Sequence, residues 1–287
     1  MNNGRKLKIF HIAILICLFI LAFAVKSSAS QKDGLLKIYF LDVGQGDAIF
    51  IEAPNGNQVL IDGGSGNKVL SELSKVMSFY DKDIDVVVAS HPHSDHIGGL
   101  IEVLSRFDVY HIVEAFEKYD SSQYSAWVEA VTNEHANRIE ALVGKEINLG
   151  NDVILTILHP FETFQDRTLK NPHDAGVVAM LSYKDFQLLL TGDAESPVER
   201  KIVQNFDIDI EVLKVGHHGS RTSTTQELIS DFKPELAVIQ VGEKNRYNHP
   251  SPEVIQRLEN NGIKYYRSDI DGMVKLITDG RHFSVIR

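Results

Sequence analysis

The chain contains a single cysteine, Cys17, and it lies inside an apolar stretch near the N-terminus. One thiol cannot form an internal disulfide. If the leader is removed no thiol remains, which also excludes a cysteine metal ligand or nucleophile. Positive charge is scarce too: 29 Lys and Arg stand against 39 Asp and Glu. Residues 1–30 hold four of those basic residues (Arg5, Lys6, Lys8, Lys26) and no acidic one, so the remainder carries a formal charge of −14. A domain that acidic repels polyanions at long range and has no general basic nucleic-acid-binding surface. Internal repeats, coiled-coil heptads and low-complexity tracts are absent. The longest N-terminal apolar run, Ile12 to Val25, has 14 residues, short of the ~20 that span a bilayer comfortably.

What is present at the N-terminus is a positive segment (Arg5, Lys6, Lys8), the apolar run, and then the small residues Ser27, Ser28, Ala29 and Ser30. This is the anatomy of a secretory signal peptide with cleavage after Ala29, and it predicts a secreted or extracytoplasmic protein. An uncleaved N-terminal membrane anchor is the alternative. A lipid-attachment signal is disfavoured, because the bulky Ile16 precedes Cys17. The expected organisation is therefore a signal or anchor over 1–30 and one domain over 31–287.

Over all 287 residues, 43% hydrophobic and 24% charged residues are the ordinary mix of a globular domain rather than a disordered one. Leu36–Asp42, Asp47–Ala53 and Gln58–Asp62 read as a strand meander broken by glycine turns. Lys68–Tyr80 reads as a helix. Ile84–Ser90 is a β-branched run that predicts a strand buried on both faces. Helices are predicted at Gly98–Phe107 and Ser122–Ala136, the second as an insert that shapes the site. Strands follow at Val153–Leu158, Val177–Ser182 and Gln187–Thr191, a helix at Ser196–Gln204 and a strand at Ile210–Val215. Thr224–Phe232 is helical, Leu236–Val241 a strand and Pro252–Asn261 a helix, and strands at Met273–Thr278 and His282–Ile286 close the chain. Many strands with interleaved helices and no linker predict one layered α/β domain. The pattern alone does not choose among α/β architectures.

The densest chemistry is Ser90-His91-Pro92-His93-Ser94-Asp95-His96-Ile97-Gly98-Gly99. Three histidines and an aspartate fall within six residues, after a buried strand and before a helix. Imidazole and carboxylate are the usual ligands of zinc and similar ions. The spacing lets His91 and His93 face one metal while Asp95 and His96 face a second. The N-terminus of the following helix points at the same place and favours an anion there. Further on, Asp193 ends an apolar strand, where a buried carboxylate needs a partner such as a metal, or else caps the next helix. His217 and His218 are adjacent between Gly216 and Gly219, so their side chains diverge. Ser220, Arg221, Thr222 and Ser223 either bind phosphate oxygens or cap the helix near Thr224.

These segments resemble the HxHxDH signature and the later motifs of the metallo-β-lactamase superfamily. Leu41-Asp42-Val43-Gly44-Gln45-Gly46-Asp47-Ala48, Lys214-Val215-Gly216-His217-His218-Gly219-Ser220 and Gly242-Glu243-Lys244-Asn245-Arg246-Tyr247-Asn248-His249-Pro250 are similar to one branch of it, the hydrolase domain of ComEC-type competence proteins and their free-standing secreted relatives. The resemblance covers the whole mature chain. It implies a four-layer αββα sandwich with two divalent metal ions, zinc or manganese, at one edge of the sheets.

It implies roles as well. Asp193 bridges the two metals. His173 completes the first site, in preference to His159, and one of His217 and His218 completes the second while the other faces substrate or moves a proton. ComEC-type domains often carry an Asn in the region of His173, so a histidine there makes this first site more complete than theirs. His249 touches substrate or forms a structural turn. Asp42, Asp47 and Asp62 are candidates for orienting the ligand imidazoles, and any one of them is otherwise a turn residue. The implied chemistry is hydrolysis by metal-bound hydroxide, assisted by Asp95, Asp193, His217 and His249. The expected substrate is a small phosphoester, a nucleotide or a nucleic acid. A lactonase or thioesterase, and a non-catalytic binding module of the same fold, are the other readings.

Overall fold

A computed structural model describes residues 34–286. The expected leader, and with it the choice between signal peptide and anchor, lies outside the described residues. Among the described residues no helix is long and apolar enough to cross a membrane.

The chain writes one pattern twice. Strands β1 (Leu36–Phe40), β2 (Ile49–Glu52) and β3 (Gln58–Ile61) form an antiparallel meander. Three steps of helix and strand extend it in parallel: α1 (Lys68–Val76), β4 (Asp83–Val88), α2 (Ser94–Leu104), β5 (Asp108–Glu114), α3 (Ser122–Glu134) and β6 (Asn137–Glu140). The second pass starts with the meander β7 (Glu146–Gly150), β8 (Val153–His159), β9 (Val178–Tyr183) and β10 (Phe186–Leu190). Its parallel extension is α4 (Ser196–Asn205), β11 (Val212–Lys214), α5 (Gln226–Phe232), β12 (Leu236–Ile239), α6 (Pro252–Asn260) and β13 (Lys264–Arg267). After α7 (Ser268–Asp271), β14 (Val274–Thr278) and β15 (Phe283–Ile286) return to the first sheet, where β14 pairs antiparallel with β1. The sheets thus have eight and seven strands.

Alternation of apolar residues sorts the faces. Ile38, Phe40, Ile51, Val59, Val86 and Val88 meet Leu155, Leu181, Leu188, Leu190, Val212 and Val238 in the layer between the sheets. The opposite face of the first sheet (Leu41, Phe50, Leu60, Val87, Ile112) is covered by Leu73 of α1, Leu100 and Val103 of α2 and Trp127 of α3. The outer face of the second sheet is covered by Val198 and Ile202 of α4, Leu228 and Phe232 of α5, and Val254 and Leu258 of α6. The architecture is the expected four-layer αββα sandwich.

The main departure concerns α2. The sequence pattern predicts a start at Gly98, whereas the helix starts at Ser94 and His93 stands at the N-cap position with extended φ/ψ. Gly98 and Gly99 permit a close approach: a Cβ on Gly99 would lie 1.9 Å from the Gly63 carbonyl oxygen. The helix therefore sits directly on the Asp62-Gly63-Gly64 turn, which brings Asp62 beside it. Strands β5, β6, β7 and β13 are not assigned by the pattern reading. β6, β7 and β13 are edge strands with polar, partly exposed residues, so they lack the apolar run that marks an interior strand.

Candidate metal centre

The cluster sits where the two parallel regions abut. His91 and His93 leave the end of β4, and Asp95 and His96 lie in the first turn of α2. Asp193 follows β10, the His217–His218 pair follows β11, and His173 lies in a short 3-10 turn (Pro172–Ala175) before β9. Ligand atoms of His91, His93 and His173 converge within 4.8 Å of one another, as do those of Asp95, His96 and His218. Asp193 stands between the groups. Its Oδ2 lies 3.7 Å from His91 Nε2, 3.2 Å from His96 Nε2, 3.6 Å from His218 Nε2 and 3.8 Å from His217 Nε2. The structure thus brings together all eight residues singled out as metal ligands.

The adjacent histidines do diverge. Both adopt left-handed backbone angles (φ 47° and 53°), a costly conformation held by the glycine-bracketed turn. His218 points inward and is buried, while His217 keeps 23% of its side chain exposed at the rim. His217 Nδ1 lies 3.4 Å from Glu195 Oε1, its ring stacks on His173 at 4.5 Å, and His249 stands 5.8 Å beyond it. His159 is buried elsewhere: its Nδ1 pairs with the Gly176 carbonyl at 2.8 Å and its ring packs on Phe161.

Each inward imidazole is held from behind. His96 Nδ1 bonds Asp62 Oδ2 at 2.7 Å, and Asp62 accepts two further bonds from the backbone and hydroxyl of Ser90. His218 Nδ1 bonds the Gln240 carbonyl at 3.0 Å and lies 3.3 Å from Asp47 Oδ1. The other nitrogens of His96 and His218, together with Asp193 Oδ1 and His173 Nδ1, are buried without a hydrogen-bond partner. Burying such atoms unpaired is costly, and a cation shared between them removes the cost. The donor set, imidazole and carboxylate with no thiolate, fits divalent metal ions.

The charges agree. Burial, opposed by Asp193, pulls the His173 pKa down to about 4, and burial with His96 nearby lowers His91 and His93. These three are neutral imidazoles, ready to ligate. Burial also disfavours the cationic forms of His96 and His218, but Asp193 with Asp62 or Asp47 outweighs it, holding His96 well above its usual value and His218 at about 10. Burial alone would raise the Asp193 pKa, yet His218 and His96 hold it well below the carboxylate range. Protons thus stand where a metal would compensate the same carboxylates.

Two expectations need correcting. Asp42 orients no imidazole: it pairs with Lys68 at 2.9 Å and accepts from Gly44 N–H. The capping reading of Ser220–Ser223 does not hold. Ser223 bonds the Gly216 and Ser220 carbonyls, Thr222 bonds Glu195, and the cap of α5 is Thr225. Pattern reading missed Lys214, which is fully buried and joins Asp47 to the Gly192 carbonyl, and Gln240, whose amide donates to the Leu41 and Ala48 carbonyls. Both are lone polar residues inside apolar strand segments, Val-Leu-Lys-Val and Val-Ile-Gln-Val. That was the available signal.

Known proteins place this arrangement. The chain is 30% identical over 195 residues to the ComE operon protein 3 of Bacillus subtilis (strain 168), covering 68% of this chain and 24% of that protein. It is 27% identical over 267 residues to Recombination protein 2 of Haemophilus influenzae, covering 92% of this chain and 31% of the relative. A shorter match, 34% over 119 residues, reaches the competence protein ComA of Neisseria gonorrhoeae. The chain thus spans only about a quarter to a third of the length of the first two. Among solved structures, CmlA, a diiron β-hydroxylase from Streptomyces venezuelae, superposes with a TM-score of 0.54 at 12% identity, over 88% of this chain and 54% of that one. At that identity the likeness is one of fold. Residues 41–243 match the metallo-beta-lactamase superfamily, and the chain belongs to it.

Proposed function

We propose that this superfamily hydrolase cleaves phosphoesters at a dinuclear metal site. The observation that carries the reading is Asp193, one buried carboxylate 3.7 Å from His91 of the first ligand group and 3.2 Å from His96 of the second. His91, His93 and His173 would hold one ion and Asp95, His96 and His218 the other, with Asp193 shared. Zinc suits the donor set and manganese suits phosphodiester cleavage. When bound, the two ions polarise a phosphoryl oxygen and acidify a water.

The chain's own groups account for the rest. His217 stands at the rim, flanked by Glu195, which Thr222 and Asn171 hold in turn. A rim imidazole steadied by a carboxylate can carry a proton to a leaving oxygen. His249, beside it, lines the mouth on the substrate side. No serine or cysteine nucleophile is required. The names of the relatives, which concern competence and recombination, accord with a nucleic-acid phosphodiester, while the acidic charge of this chain favours a short substrate over a long polymer. The leader-like residues 5–30 support an extracytoplasmic site of action.

The test is metal content by mass spectrometry together with hydrolysis of bis-p-nitrophenyl phosphate, for the wild type and Asp193→Ala. We expect about two ions per chain and activity that disappears in the variant. Strong turnover of acyl thioesters or lactones beside negligible phosphodiester cleavage would replace this reading with a carbonyl hydrolase. Failure to take up zinc or manganese would leave a binding module.

A further inference from the structure

We propose that the cleft between α3 and the segments 116–120 and 165–168 is a subsite for a planar aromatic group attached to the scissile phosphate. The inference rests on the phosphoester reading for what that group is attached to, and on the cleft alone for its shape and chemistry.

The cleft holds about 680 Å³, the size of a pocket for a small organic ligand. Phe116, Tyr119 and Tyr124 line it, with Val128 of α3 exposed toward it. It adjoins the candidate metal centre, because the Tyr119 ring meets the His93 ring edge-on at 5.4 Å. Its walls are fixed by hydrogen bonds: Lys118 N–H donates to the Arg167 carbonyl, Asp166 N–H to the Phe116 carbonyl, and the Tyr124 hydroxyl to the Glu117 carbonyl. A preformed wall costs little to order on binding.

Its chemistry argues for a flat ring rather than another phosphate. Both cations in the lining are engaged. Arg138 makes two bonds to Glu114 Oε1, at 2.6 and 3.0 Å, and lies over the Phe116 ring at 4.8 Å. Lys118 pairs with Asp166 at 2.9 Å. The lining also contains Asp120, which repels a second phosphate. With Arg138 over Phe116, the aromatic surface left in the lining is that of the half-buried Tyr119 and Tyr124, and stacking on it tolerates many heterocycles because each has a π-face. A phosphate at the metal centre would project its aromatic substituent past Tyr119 into this space.

The experiment is calorimetric titration of the metal-loaded full chain with thymidine 5′-phosphate, deoxyribose 5-phosphate and thymidine. We expect thymidine 5′-phosphate to bind about tenfold more tightly than the sugar phosphate, the order of one stacked base. Tyr119→Ala should erase that difference and leave deoxyribose 5-phosphate unchanged, and Tyr119→Phe should keep it. Equal binding of the two phosphates by the wild type would overturn the subsite, as would a Tyr119→Ala variant that retains the preference or weakens both ligands alike. If only thymidine binds, and does so through Tyr119, the subsite stands and the phosphoester reading falls.

Discussion

Between β4 and α2 four candidate ligands arrive within six residues, whereas the second sheet supplies His173, Asp193 and the His217–His218 pair from three separate connections. Both sheets otherwise follow one plan, an antiparallel meander extended by parallel strands with helices outside. Apart from His173, which enters just before the antiparallel β9, the ligands follow the carboxyl ends of strands with a parallel neighbour, the usual place for sites in α/β sheets. The difference lies in what holds the ligands in register. One loop and one helix turn position the first set. The second set depends on three strands keeping register and on the sheets meeting correctly, which Asp47–Lys214 and Gln240 enforce. The compact set should tolerate loss of one member better than the dispersed set, whose Asp193 serves both groups.

Substitutions can break that asymmetry. Asp193→Ala should lower turnover by more than the ~10–100-fold typical of losing an outer carboxylate, and should deplete both ions. Asp95→Ala should leave one ion in place. Equal metal loss in the two variants, read by mass spectrometry, would mean that Asp193 has no bridging role. The next largest effect falls on the strut between the halves. Lys214→Met leaves the buried Asp47 carboxylate with His218 as its remaining charged neighbour, and breaking a buried pair costs up to about 3–5 kcal/mol. A urea midpoint lowered without change of slope would show it, and adding Asp47→Asn should recover part of the loss. A cost under ~1 kcal/mol would place the pair with weak surface bridges.

A smaller effect separates true orienting carboxylates from bystanders. Asp62→Ala should weaken metal affinity by about 10–100-fold, because His96 loses the acceptor that fixes its ring. Asp42→Ala should leave affinity unchanged, since its partner is Lys68. Competition with a calibrated chelator measures both, and matching losses would undo the distinction drawn between these two aspartates.

The same contrast explains what was legible in the sequence. The His91–His96 segment declares itself because its ligands are local, and spacing alone assigns them to two groups. Asp193 is visible as a charge ending an apolar strand. The preference for His173 over His159 comes from resemblance, since both end or precede strands and only the tertiary approach of residues 172–175 to β4 separates them. The divergence of His217 and His218 follows from adjacency, but which one turns inward depends on left-handed angles that no residue pattern announces. Lys214 and Gln240 act across the sheet interface, where the distance in sequence from Lys214 to Asp47 and from Gln240 to Leu41 and Ala48 hides the partner. The early start of α2 was hidden because Ser94, Asp95 and His96 read as part of the ligand loop before the helix, although they form its first turn.

The smallest prediction compares a buried acid in each half. In the second, Glu199 accepts backbone N–H bonds from Thr224 and Thr225, and burial still raises its pKa. In the first, Glu117 lies behind the ligand loop near Glu114, and burial lifts it to about 8. Glu114 is bonded to Arg138 and Trp127, so its cation is not available to Glu117. A carboxyl raised in this way is protonated in the folded protein at neutral pH. Its contribution to stability is full below the unfolded value near 4.5 and is lost as pH rises through about 8. Glu117→Gln mimics the protonated form, so its melting temperature should match the wild type at pH 5 and exceed it by a few degrees at pH 9. Glu199→Gln should instead melt lower at both pH values, because an amide presents one acceptor oxygen to two N–H donors. Identical wild-type and Glu117→Gln curves at pH 9 would mean that Glu117 ionises without cost, and the two halves would then bury their acids on equal terms.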